Sequence, residues 1–168
     1  MEKPIPPKIV SKAPVKDVVL TGKRINLYDL PQIIHHEGDA GPYFTAAISF
    51  AKDPSDDTWN CAYNRLMIKG RDTTSIHLTS AKHLWEFYRL AEARGEALPV
   101  VFAFGVHPAI ALGALAIGSI DEDERGVMGA LLGEPLQLVK CETSDLLVPA
   151  HAEMVIEAEI LPRERTAE

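Results

Sequence analysis

The chain is short of cysteine, of positive charge and of long apolar runs. Its two cysteines, Cys61 and Cys141, match no zinc-ligand spacing. They read as buried or half-buried free thiols of a reducing compartment rather than a disulfide framework. Seventeen basic residues stand against 24 acidic ones, giving a net charge of −7 and a pI near 5.4. That balance argues against nucleic-acid binding as the main function. No stretch approaches the roughly 20 apolar residues that span a bilayer, and the N-terminus "MEKPIPPKIVSKAP" lacks the apolar centre of a secretion signal. A cytoplasmic protein without membrane or nucleic-acid partners is expected. GxGxxG, Walker-type, GxSxG and paired CxxC motifs are also missing.

What remains suits a single domain: 168 residues, 46% of them hydrophobic. Residues 1–16 carry four prolines and no periodicity, which predicts an extended arm that must lie on something else, such as a partner subunit, to be ordered. Residues 17–168 then form the domain. "VVLTG" and "INLYDLP" read as short strands, and "FTAAISFAK" and "WNCAYNRLMIKG" as a hairpin turning at "DPSDDT", with "TSIHLT" a third strand. A helix is predicted from Ser80 as N-cap, with Leu84, Phe87, Tyr88 and Ala91 on its apolar face and Gly95 as its stop. "LPVVFAFG" suits a central strand, Pro108 a helix start, and "DEDERGVMGALLG" a helix with acidic residues in its first turn. The rest reads as two or three strands bending near Pro149. Strands outnumber helices, so the expected class is α+β on an antiparallel sheet or barrel.

Within "WNCAYNRLMIKG", Asn60 and Arg65 are polar residues in a segment that otherwise reads as core. Among the six histidines, His35, His36, His77, His107 and His151 have ordinary structural readings. His83 lies in the first turn of the best helix, where backbone N–H groups gather; it suits either a surface or capping role or an anion with its metal. The run "DEDE" is likewise either a solvated helix start or a source of metal carboxylates. An amide, an imidazole and a carboxylate make a mixed N/O set that suits Mn²⁺ or Mg²⁺ better than structural zinc. Spacing alone does not bring such a set together.

The segments "HHEGDAGPYFTAAISFAKDP", "WNCAYNRLMIKG", "HPAIALGALA" and "GALLGEPLQLVKCETSDLLVPAHAEMVIEAEI" resemble the central part of the UbiD-type decarboxylases, over residues 8 to 162. The resemblance implies a split β-barrel of the flavin-reductase type with flanking helices. It also implies prenylated FMN, or FMN, held through Mn²⁺ on Asn60, His83 and Glu124, with Glu122 as the fallback for the last. A K⁺ ion would take main-chain carbonyls around Trp59 and "GALAIG". Tyr63, Asn64, Arg65 and Lys82 fall among the flavin contacts, and Arg65 matches the catalytic arginine that pairs with the substrate carboxylate and an acid/base glutamate. The implied reaction is the reversible decarboxylation of an aromatic or α,β-unsaturated acid.

The sequence departs from the family pattern at Ala62 and Asn64, on the substrate side of the pocket. It ends at "PRERTAE", before the segment that carries the acid/base residue in the family. The expectation is therefore a carboxy-lyase domain or subunit that needs a second chain for the general acid/base, and that self-associates into a homo-oligomer. The alternatives are a non-catalytic flavin carrier and, by fold analogy alone, a flavin reductase. Asn60 and Arg65 lie five positions apart, so a regular strand turns them to opposite faces. Either Asn60 precedes the strand or a bulge separates the two.

Overall fold

A computed structural model describes residues 3–80, 82–116 and 123–166. The hairpin joins β2 (Tyr43–Lys52) to β3 (Trp59–Ile68), after a two-residue strand β1 (Lys8–Ile9) in the arm. Its turn is closed by local carboxylates, since Asp53 Oδ1 accepts from Ser55 N at 2.6 Å and Asp56 Oδ1 from Thr58 N at 2.7 Å. Arg94 clamps the same turn, donating to Pro54 O at 2.8 Å and to Ser55 Oγ at 2.9 Å. With β4 (Thr74–Ile76), β5 (Leu98–Phe104) and β8 (Met154–Ile160), these strands form an antiparallel five-stranded sheet ordered β4-β3-β2-β5-β8. The mixed α+β class follows from it.

Alternation along the strands gives each face its own core. Ile48, Phe50, Cys61, Val101 and Ala103 face helices α2 (Pro108–Gly113) and α3 (Glu124–Leu132) and a small sheet of β1, β6 (Gln137–Lys140) and β7 (Leu147–Pro149). Ala47, Ala51, Leu66, Ile68, Val100 and Phe102 face α1 (His83–Arg94), which buries Leu84, Phe87, Tyr88 and Ala91 against them. Gly95 ends α1 at φ 72°. Gly113 lets α2 approach α3, because a Cβ there would stand 2.4 Å from Met128 Cγ.

Four sequence expectations are corrected. "VVLTG" and "INLYDLP" form no strand; they give 3₁₀ turns at Gly22–Arg24 and Leu27–Asp29, the second burying Leu27. Among the described residues neither run has a neighbouring strand to pair with. Helix α1 starts at His83 with Lys82, not Ser80, at its cap and no side-chain cap bond. Residues 3–16 lie on their own domain rather than a partner: β1 pairs parallel with β6, and Ile5 N donates to Gly126 O at 3.0 Å. Gly129 makes that possible, since a Cβ there would meet Ile5 O at 2.4 Å.

Candidate active site

Strand β4 pairs with β3 only over Leu66–Ile68, so among the described residues the outer edge of β3 from 59 to 65 has no strand neighbour. Helix α3 docks there by its N-terminus. Glu124, in the first turn of α3, is buried, and its Oε2 accepts from Cys61 N at 3.2 Å where a neighbouring strand would otherwise bond. Its Oε1 accepts from Asn60 Nδ2 at 3.0 Å. His83, the first residue of α1, brings Nδ1 to 3.9 Å from the same Oε1. Two side chains, one from a strand and one from a helix start, thus converge on a carboxylate oxygen supplied by a second helix start.

The electrostatics of that oxygen are unbalanced. Burial pushes the Glu124 carboxyl up from its ordinary value, against the opposing bonds from Asn60 and Cys61 and the charge of His83. Both helices direct their positive ends at the cluster, which favours anions there. Beside it, the Arg125 guanidinium lies 4.0 Å over the Trp59 ring and is gripped by Asp123, Nε to Oδ1 at 2.8 Å and Nη2 to Oδ2 at 2.7 Å. Asp123 also caps α3 by accepting from Arg125 N. This Trp–Arg–Asp shelf was missed in the sequence, although Asp followed two positions later by Arg at a helix start is a visible cue.

The register settles how Asn60 and Arg65 relate. Strand β3 runs without interruption, Asn60 pairing with Ala51 and Asn64 with Ala47. The bulge lies in β2, where two residues between Phe44 and Ala47 oppose Arg65 alone. Neither expected device turns the two side chains to one face. Arg65 stays on the Tyr63 face, exposed, with its guanidinium 5.8 Å from the Tyr43 ring.

Other expected residues are scattered along that edge. Tyr63 is half-buried against the α2–α3 core, Asn64 is half-buried on the Asn60 face, and Lys82 is exposed at the start of α1. Glu122 and residues 117–118 of "GALAIG" lie outside the described residues. Among the other histidines, His107 caps α2 through Nδ1, while the main-chain N–H groups of His35 and His36 donate to Asp39. Cys61 and Cys141 are buried and free, and burial pushes the Cys141 thiol up to about 12.

A family model described as "UbiD: 3-octaprenyl-4-hydroxybenzoate carboxy-lyase Rift-related domain" matches residues 8–168. The UbiD-class enzyme HmfF from Pelotomaculum thermopropionicum, solved in complex with FMN, superposes with a TM-score of 0.94 at 45% identity, covering 98% of this chain and 37% of that one. The vanillic acid decarboxylase of Sedimentibacter hydroxybenzoicus gives 0.93 at 33% identity, covering 98% and 36%. The phenolic acid decarboxylase of Bacillus subtilis is 36% identical over 170 residues, 98% of this chain and 36% of the relative. The chain thus spans about a third of the length of the curated relatives it matches. No helix among the described residues is long and apolar enough to cross a membrane.

Proposed function

The chain belongs to the UbiD family, and on that premise we propose that it is the flavin-binding domain or subunit of a decarboxylase acting on aromatic or α,β-unsaturated acids. The observation that carries the reading is the convergence of Asn60 and His83 on the buried Glu124 carboxyl at the meeting of two helix N-termini. That donor set fits a hard divalent ion such as Mn²⁺, which would relieve the buried charge and leave positions for phosphate oxygens. The Asn60 Nδ2–H bond to Glu124 occupies the place of a cation, so metal uptake requires the amide to turn its Oδ1 inward. We assign a K⁺ ion to main-chain carbonyls near Trp59.

In this reading the five-stranded sheet is the core of a split β-barrel, residues 1–16 its strap and 17–168 its flavin-binding body. FMN, or prenylated FMN as in the prFMN complex of HmfF, would lie along the uncovered edge of β3. Its phosphate would sit toward the metal, with Lys82 nearby, and its ring would lie toward Tyr63, Asn64 and Arg65. The modified flavin, when bound, supplies the electron sink for loss of CO₂. Arg65 grips the substrate carboxylate by bidentate geometry and orients it over the ring. The proton that replaces CO₂ comes from a carboxylic acid on a further segment or a second polypeptide. The vanillic acid decarboxylase, solved together with a VdcD component, is a precedent for a second polypeptide in such an enzyme. A homo-oligomer fits the same scheme.

The test is to purify the chain with FMN or prenylated FMN, with and without Mn²⁺, and record its absorption spectrum and metal content. Stoichiometric flavin retained only with metal is expected, with decarboxylation appearing on addition of a second polypeptide. Absence of flavin and metal together would overturn the reading.

A further inference from the structure

Ser49 sits in the middle of β2, fully buried, and its hydroxyl donates to Ala62 O across the ladder at 3.0 Å. With its one proton committed, Ser49 Oγ can only accept from Asn64, whose side-chain nitrogen lies 2.7 Å away. The same nitrogen is 3.3 Å from Ala62 O, another acceptor. Two acceptors on one side fix that atom as Nδ2 and turn Oδ1 away from the sheet. Among the described residues no donor meets Oδ1. Asn64 shares its face of β3 with Asn60, as the pairs Ala51–Asn60, Ser49–Ala62 and Ala47–Asn64 require. Four positions along a strand is roughly 13 Å. A molecule anchored by phosphate at the metal end would therefore bring its ring system toward Asn64. Between Asn60 and Asn64 on that face of β3 only Ala62 intervenes, half-buried and offering a methyl group.

We propose that Asn64 is a specificity-determining residue whose Oδ1 is presented to an N–H or O–H donor on the planar ring bound along β3, with Ser49 as its positioning residue. The inference rests on the flavin site proposed above. A serine in the centre of a sheet gains no apolar packing over alanine, and the hydroxyl costs free energy to bury unless bonded. Its bonds here serve to orient a half-exposed amide. The donor could be the imide N–H of the flavin or a ring hydroxyl of the acid, and paired probes separate them.

The full chain with Mn²⁺ is titrated with FMN and with N3-methyl FMN, which lacks the imide proton, and separately with 4-hydroxybenzoate and benzoate. Asn64→Leu and Ser49→Ala should each weaken the donor-bearing member of one pair by about 5- to 10-fold and leave its donor-less partner unchanged. Ser49→Thr, which keeps the hydroxyl, should restore wild-type affinity. The pair that responds identifies the source of the donor. A ligand-free check is the Asn64 side-chain amide in ¹H–¹⁵N spectra, slow to exchange in the wild type and fast in Ser49→Ala. If wild-type chain takes no FMN, the flavin reading fails and the acid pair alone decides this proposal. Equal changes in both members of each pair, or no change in any, would overturn it.

Discussion

Two glutamates at the ends of two helices have opposite fates. Glu124 opens α3, is buried, and has its carboxyl pushed up by desolvation that the hydrogen bonds from its own backbone N–H, Asn60 and Cys61 do not offset. Glu92 lies near the end of α1, half-exposed, and is held down at about 2 by the Tyr88 hydroxyl, then Arg163 N at 2.8 Å, then the Arg165 guanidinium at 2.9 Å. The second is a finished lock that ties residues 163–165 to α1. The first is a buried carboxyl whose charged form burial disfavours, reached by groups from a strand and a second helix start.

The comparison is broken most severely by removing the first carboxylate. Glu124→Ala should lower metal-dependent flavin retention by on the order of 100-fold or more, with Asn60→Ala and His83→Ala close behind, measured by equilibrium dialysis with unchanged circular dichroism. Equal retention in all three would leave the metal reading without support. An intermediate effect comes from Glu124→Gln in metal-free protein. Because the charged form is the disfavoured one, the neutral isostere should raise the thermal midpoint by roughly 2–4 °C while abolishing the stabilisation that Mn²⁺ gives the wild type. A lower midpoint would mean that Glu124 is a structural residue like Glu92.

The smallest effect is at Glu92 itself. Its folded-state value lies below the ordinary 4.5, so its contribution is complete above that pH and is lost as the pH falls through about 2. Glu92→Gln should therefore flatten the acid limb of the stability curve between those values and leave flavin retention untouched, as read by urea unfolding at stepped pH. A loss of flavin in that variant would show that the two regions are coupled.

Much of this was legible in the sequence where local chemistry decides the outcome. The hairpin turn with its aspartates, the apolar face of α1, Gly95 and Pro108 each dictate their own structure. The family resemblance singled out Asn60, His83 and Glu124, and the fold brings these three side chains together, although no spacing rule places residues 60, 83 and 124 side by side. What stayed hidden depends on partners distant in sequence. The arm pairs with β6 only because Gly126 and Gly129 leave a bare helix face, and the runs at 18–22 and 25–31 lack a strand to join. The bulge fell in β2, where the alternation of "FTAAISFAK" conceals an extra residue. Ser49 is an unremarkable letter in that run, and only the ladder reveals that it holds Asn64.

The most direct test is electron–nuclear double resonance on Mn²⁺ in the FMN-loaded chain. The account predicts a phosphorus coupling from the flavin phosphate and a nitrogen coupling from His83 that disappears in His83→Ala. Mn²⁺ with neither coupling, or FMN held equally well without any metal, would contradict it.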